Sequence, residues 1–257
     1  MQLSIITINL NNKSGLTKTI ESIKNQTFQD FEYIIIDGLS DDGSLSLVES
    51  NTRVNQWISE KDSGVYDAMN KGIKIASGEY LLFLNSGDIF YSEKTLEDII
   101  SNLTKTDIVY GDLLFDHTDH TAPYHCPEEL TVEFLFEASL AHPSTFIKRS
   151  LFEQYGLYNT DYKIISDWSF FLTCILRGNV STKHINQIIS IFDTNGMSSD
   201  PKNQEQIRVE RTHFLTSEFP LFYKQYLNQK KDTETLRKIQ SSKGFKWLKK
   251  LGVKKFQ

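Results

Sequence analysis

The stretch YLLFLNSGD at positions 80–88 constrains the fold more than any other part of this sequence. Its first five residues are apolar and β-prone, as in a buried strand. Its last four are small polar residues that suit a turn. Because ligands of open α/β sheets bind at the C-terminal ends of strands, the stretch predicts a strand that presents the Asp88 carboxylate at such an edge. Taken alone, it suits a plain loop before the next helix at least as well.

Two earlier runs repeat this pattern. β-branched residues dominate positions 3–8 and 31–36, polar residues follow each run, and between them apolar residues fall on helical spacing with Ser14 as the expected N-cap. A strand, a helix and a strand within about forty residues predict a right-handed βαβ unit. Further strands are predicted over 56–60, 107–115, 145–148 and 185–192, and further helices over 65–76, 92–103 and 130–140. The sequence therefore predicts an α/β fold with a Rossmann-like, mostly parallel central sheet and helices on both faces.

Three predicted strands are followed by an acid. Asp37, Asp62 and Asp88 come after the second, third and fourth strands, so we expect all three at one rim of the sheet. Crowded carboxylates repel one another unless a cation or a hydroxyl-rich ligand lies among them. An acid in the position of Asp37 often takes a ribose hydroxyl in nucleotide-binding α/β folds. No GxGxxG motif lies between the first two strands, which argues against a dinucleotide cofactor.

Other polar side chains have two interpretations each. Asp167 lies near the start of a strongly apolar helix predicted over 164–177, where it is either a functional acid or an N-cap in competition with Ser166. The sequence leaves both open. His117 and His120 lie in a predicted loop, and lone loop histidines are more often solvated than bound to metal.

Composition limits the class of protein. The 257 residues can bury a sizeable core, and Cys126 and Cys174 have neither disulfide nor metal spacing. We find no basic n-region at the start and no apolar run of ~20 residues. We therefore predict no signal peptide, no bilayer span, a cytoplasmic location and no nucleic-acid partner.

Charge is unevenly distributed along the chain. Residues 221–257 hold eleven Lys or Arg and two Asp or Glu, a local charge of +9, so residues 1–220 carry −14 of the total of −5. Near the end, KGFKWLKKLGVKK can place aromatic and leucine side chains on one helix face and lysines on the other. Such a helix suits the surface of an anionic membrane, here through residues 241–257. A solvated, lysine-rich end without a partner is the alternative.

Five ordered motifs carry a resemblance to a known family. They are SIITINLN, QTFQDFEYIIIDGLSDDGS, SEKDSGVYDAMNKGIKIASGEYLLFLNSGD, AHPSTFIKRSLFEQYG and ISDWSFFL. Together they resemble the family-two glycosyltransferases, inverting enzymes with the GT-A fold, over most of residues 1–195. The sequence is most similar to the bacterial subgroup that builds O-antigen, capsule and other exopolysaccharides.

The resemblance implies roles on the nucleotide side. Thr7 matches the position whose backbone meets the nucleotide base, Asp37 matches the acid on the uracil or ribose, and Asp62 matches an acid near both. Asn85 and Asp88 occupy the place of the DxD metal motif, with Asn85 standing where an acid is usual. Asp88 would anchor Mg²⁺ or Mn²⁺, which often uses only one or two protein carboxylates together with phosphate oxygens.

The resemblance also implies roles in the transfer itself. Asp167 matches the catalytic base, which takes a proton from the acceptor hydroxyl as that oxygen attacks the anomeric carbon. One direct displacement inverts the anomeric centre, so an α-linked donor gives a β-linked product. Residues 195–199, which include Ser198, resemble the loop that closes over the diphosphate, and His142 matches a position that assists the metal or the diphosphate.

These inferences predict an inverting glycosyltransferase of surface polysaccharide biosynthesis. Its donor would be a nucleotide-sugar, with a UDP-sugar expected, and its acceptor a hydroxyl of a saccharide or of a lipid-linked acceptor at the inner membrane face. A catalytically inactive nucleotide-sugar-binding module is the alternative, since NSGD lacks the first acid. A nucleotidyltransferase would need a glycine-rich, basic phosphate loop, and residues 9–15 contain only Lys13 and one glycine.

The same reading divides the chain into two parts. Residues 1–200 would form the GT-A domain, with a nucleotide-sugar half over 1–115 and an acceptor half over 116–200. Residues 201–257 would form a helical extension that ends in the basic amphipathic tail.

Overall fold

The computed structural model describes residues 2–117 and 119–251. The strands are β1 (Leu3–Asn9), β2 (Glu32–Asp37), β3 (Gln56–Ser59), β4 (Tyr80–Phe83), β5 (Ile89–Phe90), β6 (Ile108–Asp116), β7 (Thr121–Tyr124), β8 (Thr145–Lys148) and β9 (Thr182–Asp193). The α-helices are α1 (Lys13–Lys24), α2 (Ser44–Glu49), α3 (Val65–Ile75), α4 (Thr95–Ile99), α5 (Val132–Glu137), α6 (Ser150–Tyr155), α7 (Ser166–Leu172), α8 (Gln204–Glu218), α9 (Pro220–Ser241) and α10 (Lys243–Lys250).

In the described residues, nine strands form a single sheet in the order β3-β2-β1-β4-β8-β6-β9-β5, with β7 on β6. The half from β3 to β4 is wholly parallel. The strands β5, β7 and β8 run opposite to the other six. The prediction of a mostly parallel α/β sheet is confirmed.

Helices cover both faces of the sheet because side chains alternate along each strand. Ile5 of β1 packs in an apolar cluster with Leu16 and Ile20 of α1. Its neighbour Ile6 packs in a second cluster, on the other face, with Met69 of α3. The interior layers thus follow directly from the apolar runs in the sequence, and the predicted placement of helices on both faces is confirmed.

Two helix starts differ from the prediction. The Asn12 side chain, not Ser14, caps α1 by accepting the backbone N–H of Gly15 at 3.0 Å, because asparagine is as effective an N-cap as serine. Neither Ser166 nor Asp167 caps α7, which begins after Ile165 without a side-chain cap and continues as a π-helix over Thr173–Arg177. Capping therefore does not explain Asp167.

Several short elements carry too little pattern to be predicted. The strands β5 and β7 and the helices α2 and α6 have six residues or fewer, and tertiary pairing decides such segments. The helix predicted over 92–103 is α-helical only over α4 and ends as a 3₁₀ turn, Ile100–Asn102.

The chain divides into two compact units, residues 1–210 and 211–257. The functional division at residue 200 stays a prediction. Among the described residues, every helix is too short or too polar to cross a bilayer.

Candidate active site

A cleft of about 220 Å³ opens in the first unit. It is bounded by the turn after β4, the start of α3, the segment that leads into α7 and the chain just after β9. Its lining includes five of the predicted site residues: Asn85, Asp88, His142, Asp167 and Ser198. Side chains far apart in the sequence therefore share one concave surface.

The turn after β4 is built so that Asp88 approaches β9. Gly87 has φ +109°, in the left-handed region that favours glycine, and a Cβ there would lie 2.7 Å from Oδ2 of Asp193. The Asp88 carboxylate accepts the backbone N–H of Asp193 at 3.0 Å. A side chain at position 87 would therefore force the Asp193 carboxylate to shift.

Asp88 and Asp193 form a carboxylate pair that the sequence interpretation missed. Burial raises the pKa of Asp88 to about 8, and the nearby charge of Asp193 adds to the increase. A positive charge beside the two carboxylates would favour their ionised forms and so oppose this increase in pKa. Asp193 ends its strand as Asp37 ends β2, so extending the rule of an acid at a strand end to β9 would have found it.

The donor set at this point fits a hard divalent cation. The Oδ1 atom of Asn85 is buried and has no hydrogen-bond partner among the described residues. Together with Asp88 and Asp193 it offers only oxygen ligands, which Mg²⁺ and Mn²⁺ prefer. No group of three or more acidic, histidine or cysteine side chains in the described part of the chain forms a complete metal site. Phosphate oxygens would therefore have to complete the coordination.

The predicted nucleotide residues lie together beside the cleft rather than in its lining. Asp37 is buried, and its carboxylate accepts hydrogen bonds from Asn9, from Ser59, and from the backbone and hydroxyl of Ser40, at 2.6–2.9 Å. Burial opposes ionisation, but these hydrogen bonds outweigh it and lower the pKa of Asp37. A Cβ on Gly38 would lie 2.6 Å from Oδ2 of Asp62, so Asp62 packs directly against the residue after Asp37.

Asn9 joins this group to the turn after β4. Its side-chain nitrogen Nδ2 donates to Asp37 at 2.9 Å, and its side-chain oxygen Oδ1 accepts the hydroxyl of Ser86, a cleft residue, at 2.7 Å. Thr7 lies in the core, where its hydroxyl donates to the Leu84 carbonyl at 2.6 Å. Its side chain is thus used inside the protein, and its predicted contact with a base through the backbone stays a prediction.

Asp167 lies in the first turn of α7, with its two carboxylate oxygens in different surroundings. Oδ1 accepts the Tyr66 hydroxyl at 2.8 Å, whereas Oδ2 lies 3.9 Å from Nδ1 of His142, beyond hydrogen-bond distance. Oδ2 is therefore the oxygen without a close donor among the described residues. Asp167 is half-buried and lines the cleft.

His142 is enclosed by aromatic side chains. Its ring lies 4.7 Å from that of Phe83, and its Nε2 is 2.9 Å from the Tyr158 hydroxyl. Burial lowers the pKa of His142, and the charge of Asp167 opposes this only in part. The imidazole is therefore neutral at physiological pH. Its nitrogens face Tyr158 and Asp167, while its predicted role at a metal stays a prediction.

The segment after β9 forms one wall of the cleft. Asn195, Gly196, Met197 and Ser198 all contribute to it. The backbone and side-chain N–H groups of Asn195 both donate to Oδ1 of Asp193, at 2.9 and 2.6 Å. The loop that was predicted to contact a diphosphate therefore starts at the carboxylate pair.

Comparisons with known proteins show the family of this chain. A family model described as glycosyl transferase family 2 matches residues 4–165. A PGL/p-HBAD biosynthesis glycosyltransferase of Mycobacterium bovis (strain BCG / Pasteur 1173P2) is 31% identical over 201 residues, 75% of this chain and 77% of that protein.

Two solved structures are similar in fold. S. aureus TarS 1-349 in complex with UDP-GlcNAc has a TM-score of 0.66 at 18% identity, over 84% of this chain. Mannosyltransferase PcManGT from Pyrobaculum calidifontis, in complex with GDP-Man and Mn²⁺, has a TM-score of 0.60 at 16% identity, also over 84% of this chain. The chain spans 60% to 67% of TarS 1-349 in its different structures and 62% of PcManGT. The chain belongs to glycosyl transferase family 2, and it is a glycosyltransferase with a GT-A-like fold.

Proposed function

We propose that this enzyme transfers a sugar from a UDP-sugar to an acceptor hydroxyl with inversion at the anomeric carbon. One observation carries the proposal: the carboxylate pair and Asp167 line a single cleft. The pair suits the diphosphate end of the donor, and Asp167 suits the acceptor hydroxyl.

The nucleoside would lie beside the cleft, at the ends of β2 and β3. Asp37 is saturated with donors and organises the loop, while the half-buried Asp62 next to Gly38 is the carboxylate left to accept ribose hydroxyls. The link through Asn9 to Ser86 leads from this nucleoside region to the diphosphate region.

Asp88, Asp193 and Asn85 would hold Mg²⁺ or Mn²⁺. When bound, the ion neutralises charge that develops on the departing diphosphate. The support is the buried Asn85 oxygen, for which the described part of the chain supplies no hydrogen-bond partner, and the raised pKa of Asp88. PcManGT was solved with Mn²⁺ and a sugar nucleotide, and we extend that pairing to this chain.

The displacement step needs one base. Oδ2 of Asp167 takes the proton of the acceptor hydroxyl while its oxygen bonds to the anomeric carbon. The bond from that carbon to the phosphate oxygen breaks, and the nucleoside diphosphate leaves with the electron pair. Neutral His142, 3.9 Å from Oδ2, contributes no permanent charge that would hold the carboxylate in an ion pair.

We propose a lipid-linked acceptor and a pathway of surface polysaccharide synthesis, on the strength of the tail. Trp247 of α10 and Leu251, the C-cap residue of that helix, are 64% and 59% exposed, whereas Phe245 and Leu248 are half-buried. The exposed apolar pair lies one helical turn apart among lysines, a pattern that suits anionic lipid headgroups. Residues 252–257 of the predicted tail lie outside the described residues.

Donor binding and transfer can be tested separately. A panel of UDP-sugars is screened for Mn²⁺-dependent thermal stabilisation, because a ligand that binds only the folded state raises the melting temperature. Release of UDP then reports transfer or hydrolysis. Asp167→Asn should keep the stabilisation and lose at least about a hundredfold in rate, whereas Asp161→Asn, at an exposed acid nearby, should match the wild type.

The outcomes distinguish the candidates. Stabilisation without UDP release by the wild type would favour the inactive binding module, and no response to any nucleotide-sugar would contradict the proposal. For the tail, Trp247→Ala should weaken co-sedimentation with anionic vesicles. Leu236→Ala, at an exposed leucine in α9, should not, and equal binding by both variants would refute lipid contact through α10.

A further inference from the structure

Tyr66 of α3 donates a hydrogen bond to Asp167, the candidate base. The transfer step described above does not use this hydrogen bond. We infer that Tyr66 is a positioning residue that fixes the Asp167 carboxylate with Oδ2 toward the cleft. The inference rests on the proposed role of Asp167 as base. Tyr66 itself lines the cleft beside Asp167 but is 5% exposed.

The Tyr66 hydroxyl has two acceptors within reach. It lies 2.8 Å from Oδ1 of Asp167 and 2.6 Å from the carbonyl oxygen of Ile164. Burial raises the pKa of Tyr66 well above its usual value, and the charge of Asp167 raises it further. The hydroxyl therefore stays protonated and donates, which leaves Oδ2 as the oxygen free to take a proton.

The helix that carries Asp167 does not supply this orientation. No side chain caps α7 within the described residues, and Asp167 is not its N-cap. An aspartate in a first helical turn has several staggered rotamers, so something outside α7 must select one. Tyr66 is the donor that the structure places on Oδ1.

Asn70, one turn further along α3, fixes the neighbouring segment. Its side-chain nitrogen Nδ2 donates to the backbone carbonyl of Tyr158 at 2.8 Å, and its side-chain oxygen Oδ1 accepts the backbone N–H of Tyr158 at 3.0 Å. The hydroxyl of Tyr158 in turn meets Nε2 of His142. Residues i and i+4 lie on the same helix face, so one face of α3 locates both Asp167 and His142.

Hydrogen bonds to Glu210 fix the backbone just before Asp167 independently of Tyr66. The buried carboxylate of Glu210 accepts the N–H groups of Lys163 and Ile164 at 3.0 and 3.2 Å. Glu210 thus binds the N–H side of the peptide groups around Ile164, whereas the single proton of the Tyr66 hydroxyl is shared between the Ile164 carbonyl and Oδ1 of Asp167. Removing the Tyr66 hydroxyl should therefore release the Asp167 side chain while the segment keeps its place.

This separation defines the experiment. Tyr66→Phe removes the hydroxyl alone. Tyr80→Phe is the matched control, because the hydroxyl of Tyr80 also lies within reach of two carbonyl oxygens, those of Thr104 and Thr106 at 3.0 and 2.6 Å, at the other end of β4. The full-length variants are compared by UDP release from the UDP-sugar that stabilises the wild type most, by its dissociation constant, and by thermal unfolding.

For Tyr66→Phe we expect kcat to fall about tenfold to a hundredfold, since small misplacements of a catalytic group cost rates of this order. The donor Kd should stay unchanged and the melting temperature should fall no more than in Tyr80→Phe. A kcat equal to that of the wild type, or a loss that appears equally in Kd or in Tyr80→Phe, would overturn the inference.

If the wild type turns over no UDP-sugar, a crystal structure of Tyr66→Phe tests the inference without a rate measurement. The Asp167 carboxylate should leave the rotamer seen in the wild type while Ile164 stays in place. An unchanged Asp167 rotamer would refute positioning by Tyr66. By contrast, a wild type without turnover of any UDP-sugar would count against the proposed function and not against this hydrogen bond.

Discussion

Asp37 and Asp88 are both buried carboxylates at strand ends, 1% and 3% exposed, yet their pKa values move in opposite directions. Side-chain and backbone donors surround Asp37, and its pKa falls despite burial. Asp88 has few donors and faces Asp193, and its pKa rises to about 8. The comparison teaches that burial alone does not identify a ligand site. The number of donors around a buried carboxylate decides the direction in which its pKa moves.

The largest expected effect is at Asp88, the acid with the raised pKa. Asp88→Asn keeps the shape of the side chain but removes its negative charge from the proposed cation site, so Mn²⁺-stimulated UDP release should fall about a hundredfold, on the order of 3 kcal/mol. Mn²⁺ titration followed by electron paramagnetic resonance should show weaker binding. Mn²⁺ affinity equal to that of the wild type would contradict the proposed ion site.

The second effect is at Asp37, the acid that is surrounded by hydrogen-bond donors. Asp37→Asn places an amide N–H group against donors that need an acceptor, so the free energy of unfolding should fall by about 2 kcal/mol. Urea denaturation measures this. Asp41→Asn, an exposed acid of the same loop, is the control and should be neutral, and equal stability of both variants would show that the network around Asp37 is not stabilising.

The third effect is the pH dependence of stability without metal, where the two acids have opposite signs. The folded protein keeps a proton on Asp88 between its unfolded value of 3.8 and about 8, so this group lowers stability as pH rises through that window, by at most about 1.4 kcal/mol per pH unit. The stability from Asp37 is present above pH 3.8 and is lost as pH falls through its lowered pKa.

Comparing each variant with the wild type across pH isolates these contributions. The stability gap between wild type and Asp88→Asn should change steadily between pH 5 and about 8 in the absence of metal, and Mn²⁺ should reduce that change. A gap that stays flat without metal would mean that Asp88 is ionised throughout this range.

The smallest effect concerns the close approach of the two acids. Gly87→Ala adds strain at positive φ and also a contact with Asp193, whereas Gly156→Ala at φ +90° meets nothing within 4 Å. Both should lose about 1 kcal/mol of stability, with a further loss and weaker Mn²⁺ binding only in Gly87→Ala. Equal losses in stability and equal Mn²⁺ affinity would show that Asp193 moves away at little cost.

The parallel half of the sheet could be predicted because each of its strands carries a strong local signal. The apolar runs that became β1, β2 and β4 are long or β-branched, and their polar ends mark the sheet edge. The strands β5 and β7 have two and four residues, and they exist only through pairing with β9 and β6. No local pattern reports such pairing.

The site was predictable in part for the same reason. Asp88 and Asp167 share a cleft, and Asp62 lies next to Asp37 through Gly38, while the roles predicted for these acids stay predictions. The acids form two groups joined by Asn9, which a rule about strand ends does not resolve. Asp193 and Tyr66 were missed because their importance depends on contacts over 105 and 101 residues of chain.

The carboxylate pair also has a consequence for biogenesis. Its members are separated by 105 residues, and they lie beside the pairing of β5 with β9. Closing so long a loop requires most of the first unit to have been synthesised and ordered. A nascent or truncated chain that stops before Asp193 therefore lacks one of the two carboxylates of the proposed ion site.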